Sequence, residues 1–98
     1  VILEYIRYEI PECQRTAFIA AYAAAKGPLM ASPYSRGFDL CQCAEDPGQF
    51  ILRIEWTSAE DHMEKFRGSA EFRAFFARIK PFVRNILEMR HYRRIDHG

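Results

Sequence analysis

The sequence has no apolar run approaching the roughly 20 residues that a membrane-crossing helix needs. Its start shows no basic leader ahead of an apolar core, so no secretory signal is legible. Charge of one sign is missing too. The net charge is +1 and basic residues are interleaved with acidic ones, which argues against a nucleic-acid partner. Cysteine is sparse: Cys13, Cys41 and Cys43 are an odd set, unlike a secreted disulfide framework, and a reducing cytoplasm is the expected location. Cys41 and Cys43 stand two apart and share a strand face. They read as small buried apolar residues, with redox sensing or soft-metal binding as the functional alternative. His62, His91 and His97 are scattered, with no H-x-x-x-H or H-E-x-x-H arrangement. There is no phosphate-binding glycine loop and no nucleophile–base pairing. No metal, nucleotide or other cofactor is expected.

What is present suits one small domain. Of 98 residues, 49% are hydrophobic and 28% charged, the balance of a folded globular chain. A domain of this size often gains stability by association. The organising stretch runs from Ile51 to His62. Phe50, Leu52, Ile54 and Trp56 fall on one face of a strand and Ile51, Arg53 and Glu55 on the other. Thr57 or Ser58 then caps a short helix, with Glu60 and Asp61 at its positive end.

The rest of the chain arranges itself around that stretch. Val1 to Ile10 alternates as a strand, with Glu4 breaking the set Ile2, Ile6, Tyr8 and Ile10; Glu4 is therefore expected near an exposed edge. Pro11 suits the first position of an alanine-rich helix from about Glu12 to Lys26, which Gly27-Pro28 should interrupt. Gly37 to Ala44 and Phe50 to Trp56 form a hairpin about Glu45-Asp46-Pro47-Gly48. The short helix ends at Gly68, and Ser69 caps another carrying Phe72, Phe75, Phe76 and Ile79 at core-facing spacing. Pro81 stops it, and a last strand covers roughly Arg84 to Arg93. Leu87, Met89 and His91 share one face of that strand and Ile86, Glu88, Arg90 and Tyr92 the other. The order βαββαβ predicts a ferredoxin-like α+β sandwich with an antiparallel sheet in the order 4-1-3-2. One domain spans residues 1–93, with 94–98 as a tail or linker.

If helices cover the Ile6/Leu52/Ile54 face, the opposite face carries Leu3, Tyr5, Arg7, Asp39, Cys41, Ile51, Arg53 and Glu55. It is too apolar for a solvent face and too charged for a core. A homodimer that buries this face is expected, with cross-strand ion pairs on a wet sheet as the plainer alternative.

Arg53-Ile54-Glu55-Trp56, the capped helix and Ser69-Ala70-Glu71-Phe72 with Phe75-Phe76 together resemble the antibiotic biosynthesis monooxygenase family of dimeric α/β barrels. The likeness covers roughly Ile2 to Tyr92. Glu88-Met89-Arg90-His91-Tyr92 resembles a branch found alone and also attached to truncated haemoglobins, which is compatible with a covalent partner domain beyond the C-terminus as well as with a chain that stands alone. The resemblance implies either oxidation of hydroxyaromatics by O₂ without metal or flavin, or haem degradation, or action on small signalling molecules. Haem degradation needs a Trp, a His and an Asn at places held here by Phe66, Phe76 and Ile6 or Arg7, so that activity is not expected. Many relatives carry a His where Phe66 stands, so a His-based mechanism at that place is not expected either.

For cofactor-free oxygenation a phenolate must form in a dry pocket and pass an electron to O₂. His62 and His91 are the candidate bases. Trp56, Phe66, Phe72 and Phe76 are the candidate pocket wall, and Tyr5, Arg53, Arg90 and Tyr92 the candidate substrate binders. Each has a plainer role: Trp56 and the phenylalanines as core, His62 as a solvated helix residue, the arginines as interface ion pairs. The expected function is oxidation of a small quinol- or anthrone-like molecule; the alternative is a non-catalytic binding or dimerisation module.

Overall fold

The structure, a computed structural model, describes residues 1–98. Its elements are β1 (Ile2–Glu9), α1 (Arg15–Ala31), β2 (Ser35–Gln42), β3 (Gln49–Trp56), α2 (Ala70–Ile79) and β4 (Ile86–Arg93). Short 3₁₀ turns lie at Glu12–Gln14 and Lys80–Asn85, and a π-helical segment at Asp61–Phe66. The strands form one antiparallel sheet in the order β2-β3-β1-β4, the ferredoxin-like topology expected from the sequence. No helix is long and apolar enough to cross a membrane.

Register decides which residues meet. Tyr8 pairs with Phe50, Ile6 with Leu52 and Glu4 with Ile54. On the other side of β1, Ile6 meets Met89 and Glu4 meets His91. These residues face the helices. Leu3, Tyr5 and Arg7, opposite Tyr92, Arg90 and Glu88, make the outer face, which settles the orientation of β4. A bulge between Arg7 and Tyr8 sets Ile86 opposite Tyr8, which leaves Leu87 on the surface.

Helix α1 buries Phe18, Tyr22, Ala25 and Leu29, spaced along one helical face. Phe18 is the hub: the rings of Tyr8, Phe50, Tyr22 and Phe82 stand 4.8, 4.9, 5.2 and 5.2 Å from it, tilted or edge-on. Such pairs add about 0.5–1.5 kcal/mol each beyond the area they bury. In the hairpin turn, Asp46 Oδ1 accepts from Gly48 N at 3.2 Å and the Asp46 carbonyl from Gln49 N at 2.9 Å. A Cβ on Gly48 would lie 2.9 Å from Arg15 Nη2 and 3.4 Å from the Ile10 carbonyl, so a larger residue there displaces the end of the Arg15 side chain.

Two helix boundaries and one strand start differ from expectation. Pro11 precedes the first turn in extended conformation rather than opening it. Helix α1 runs through Gly27-Pro28 to Ala31. Pro28 lies in the last turn, where it removes one backbone hydrogen bond, and Gly27 has no Cβ to clash with the proline ring. Leu29, fully buried, pins that turn to the core. Pro81 tightens the chain into a 3₁₀ turn that buries Phe82, so β4 starts only at Ile86.

The Tyr8 and Tyr22 hydroxyls bond each other inside the core. Tyr8→Phe should destabilise by about 1–3 kcal/mol, because the Tyr22 hydroxyl loses its partner, whereas the double phenylalanine variant should be nearly neutral. Burial pushes Tyr8 up to about 12 and Tyr22 higher still. Both folded-state values lie above the ordinary phenol value of about 10, so their contribution is complete below pH ~10 and is lost as pH rises toward 12. Thermal unfolding followed by circular dichroism should show a steep alkaline fall in wild type and a shallower one in the double variant.

Candidate active site between the sheet and the helices

Strand β3 ends on Trp56, which is fully buried. Ser58 Oγ then accepts from Asp61 N at 2.9 Å, and the turn this starts widens: Arg67 N donates to the His62 carbonyl at 3.3 Å, a five-residue step. This π-helical turn brings both His62 and Phe66 inward. His62 is not a solvated helix residue, as the sequence suggested. It is 4% exposed and lies flat on Trp56, with ring centroids 4.4 Å apart and planes 12° from parallel. Phe66 packs on the same indole at 4.7 Å, Phe72 meets Phe66 edge-on at 5.5 Å, and Phe76 stacks on Phe72 at 5.5 Å.

Glu4 is the second correction. It is 2% exposed, because β1 is a central strand and the alternation aims Glu4 at the helices. Trp56 Nε1 donates to Glu4 Oε1 at 3.0 Å, and His62 Nε2 lies 3.5 Å from the same oxygen. His91, the cross-strand partner of Glu4, completes the group: its Nε2 is 2.7 Å from His62 Nδ1. The result is a polar chain from buried Glu4 through His62 to His91 at the surface.

Burial governs the electrostatics. It pushes Glu4 up to about 7, against the lowering pull of the Trp56 hydrogen bond and Arg67. It pushes His62 down to about 3, helped by His91 and Arg67. His91 is lowered as well, by desolvation first and Arg67 second. The Glu4–His62 contact is therefore a contact between two groups that both resist charge, not a strong ion pair.

A cavity of about 200 Å³ opens beside this chain, walled by Glu4, Trp56, His62, Phe66, Arg67, Phe72 and Phe76 among others. Six of the sequence-predicted residues thus converge: Trp56, His62, Phe66, Phe72 and Phe76 in the wall and His91 behind His62. The other four lie on the opposite sheet face. Tyr5 and Tyr92 meet edge-on at 5.3 Å, Arg53 pairs with Asp39, and Arg90 pairs with Glu88 at 3.3 Å. They border a shallower depression of about 440 Å³ with Leu3, Arg7 and Ile51 or flank it. Cys13 and Cys41 are exposed and Cys43 half-buried, not core residues: Cys41 belongs to the outer face and Cys13 to the exposed 3₁₀ turn.

Sequence reasoning missed Glu4 and Arg67. The signal for Glu4 was available, since a carboxylate in the apolar set of a central strand must be buried and so needs a partner. For Arg67, exposed at the end of an irregular turn, no local signal exists. Glu4, His62 and His91 are also the residues able to hold a metal, with ligand atoms all within 4.8 Å of one another.

A family model described as antibiotic biosynthesis monooxygenase matches residues 1–78. The uncharacterized protein YczJ of Bacillus subtilis (strain 168) is 34% identical over 53 residues, covering 54% of this chain and 56% of YczJ. The match thus spans about half the length of that relative. A Bordetella bronchiseptica protein of known structure is 24% identical, with a TM-score of 0.78 and 96% of each chain covered. A mutant of SnoaB, a cofactor-independent oxygenase from Streptomyces nogalater, has a TM-score of 0.78 at 10% identity, with 98% of this chain and 94% of SnoaB covered. At these identities the structural likeness shows a shared fold.

Proposed function

The chain belongs to the antibiotic biosynthesis monooxygenase family, and on that premise we propose that it oxidises a small hydroxyaromatic with O₂ between its sheet and helices. The observation that carries the reading is the chain Glu4–His62–His91, which links an aromatic-walled cavity to the surface. The substrate hydroxyl gives its proton to this chain, and His91 passes it to solvent. The phenolate left in the dry, apolar cavity gives an electron to O₂, and the two radicals combine as a peroxide. The peroxide anion takes a proton back from solvent through the same chain, and loss of water, carrying the hydrogen of the peroxide-bearing carbon, then leaves a carbonyl. The substrate loses two hydrogens and gains one oxygen atom, and the second oxygen atom leaves as water. The substrate supplies every electron, so no flavin or external reductant is required.

Size narrows the class. Sites for drug-sized ligands run to about 300–1,000 Å³, whereas this cavity holds about 200 Å³. One- and two-ring quinols and naphthols fit better than three-ring anthrones. Arg67, in the wall, favours the phenolate.

The test is oxygen consumption by the purified protein across quinols, naphthols and anthrones, with His62 and His91 variants alongside. Uptake above the spontaneous rate, strongest for the smaller rings and reduced in a histidine variant, is expected. No uptake with any of them would favour the non-catalytic binding module.

The outer face supports a homodimer in the same reading. Arg53 with Asp39, Arg90 with Glu88 and Arg94 with Glu55 neutralise its charges within the sheet. That leaves Leu3, Tyr5, Ile51 and Tyr92 as an apolar patch around the larger depression. Ile51→Arg should convert a dimer to a monomer in light scattering while circular dichroism is unchanged. A monomeric wild type would sink this part of the proposal.

A further inference from the structure

We propose that Glu4, His62 and His91 form a binding site for a divalent transition-metal ion of the Zn²⁺ kind. Two imidazoles and a carboxylate suit Zn²⁺, Fe²⁺ or Ni²⁺ and not Mg²⁺ or Ca²⁺, which prefer all-oxygen shells. The three donors come from β1, the π-helical segment and β4, and their ligand atoms lie within 4.8 Å of one another. No sequence spacing reveals such a set, because the sheet register and the widened turn assemble it.

The surroundings are those of a supported site. The Trp56 N–H holds the Glu4 carboxylate at 3.0 Å and the indole fixes the plane of His62, as outer-shell partners orient metal ligands. His91 is exposed and gives the ion its way in. Nitrogens bound to one tetrahedral ion at about 2.0–2.1 Å stand roughly 3.3 Å apart. His62 Nε2 and Glu4 Oε1 stand 3.5 Å apart, close to that spacing. His91 Nε2 instead contacts the other His62 nitrogen, Nδ1, at 2.7 Å, so the exposed His91 turns toward the Nε2 side as the ion binds. Arg67 opposes the cation, and the Glu4 carboxylate offsets it.

The inference goes beyond the oxidation reading and competes with it, since an ion would occupy the atoms that accept the substrate proton. Its test therefore uses no substrate. Purified protein is titrated with Co²⁺, followed by visible absorption, and with Zn²⁺, followed by calorimetry. One ion per chain and the absorption bands of a four-coordinate Co²⁺ site are expected. His91→Ala, which removes an exposed ligand and spares the core, should weaken binding by more than the roughly 10–100-fold lost with a merely supporting residue. Arg67→Ala should tighten it, and His97→Ala, in the tail, should leave it unchanged. Absence of stoichiometric binding, or binding indifferent to His91→Ala, would overturn the site. Loss of binding in His97→Ala would reassign it to the tail.

Discussion

Replacing His62 by phenylalanine is expected to slow oxygen uptake by about 10²–10⁴-fold, the range that a positioned proton acceptor contributes. The chain should stay folded. Phenylalanine keeps a flat ring against Trp56, where His62 now stacks at 4.4 Å, and removes only the two nitrogens that join Glu4 to His91. His62→Ala would be harder to read, because it also opens a hole beside a fully buried indole. His91→Ala should have the smaller effect on rate. His91 is exposed, and water can take over at the outer end of a proton path but not in its buried middle. Initial rates at saturating and limiting quinol separate the outcomes. A fall in kcat with little change in KM is expected, and an unchanged kcat in His62→Phe would remove the chain from the mechanism.

The fold was legible because its signals are periodic. Alternation in Val1 to Ile10 and Phe50 to Trp56, the Ser69 cap and the Asp46–Gly48 turn each point to one structure, and Ser69 Oγ indeed accepts from Phe72 N at 3.2 Å. The misplaced boundaries are at prolines, whose effect depends on neighbours distant in sequence: Pro28 is tolerated because Leu29 is anchored in the core. The site was half legible. Trp56 and the phenylalanine stripe follow from spacing. An edge position for Glu4 conflicts with a sheet order that makes its strand central, and the topology is the better guide. The burial of His62 follows from a π-helical turn whose register ordinary helical spacing does not predict. Tyr5 and Arg53 fall on the outer face by strand parity already in the sequence, so their place among the substrate binders rests on chemistry alone. The β4 register puts Arg90 and Tyr92 on that face too.

Trp56→Ala should destabilise the domain by about 3–5 kcal/mol, as large-to-small changes of buried aromatics do. That is a large share of the roughly 5–15 kcal/mol that holds a domain together. The indole is fully buried against His62 and Phe66 and is the donor that satisfies Glu4. Alanine removes all three contacts together. Trp56→Phe separates them: the ring remains, the N–H is lost, and only the cost of an unsatisfied buried acceptor is expected, about 1–3 kcal/mol. Glu4→Gln in the Trp56→Phe background should recover little, because the amide still lacks its donor. Glu4→Leu should recover more, because nothing polar is then left buried there. Urea unfolding of the four variants, followed by far-ultraviolet circular dichroism since Trp56 is the single tryptophan, measures each step. If Trp56→Phe proved as damaging as Trp56→Ala, the indole N–H would be the main structural anchor. If Trp56→Phe were neutral, Glu4 would have to be satisfied by His62 alone, and Trp56 would serve the site through its aromatic face.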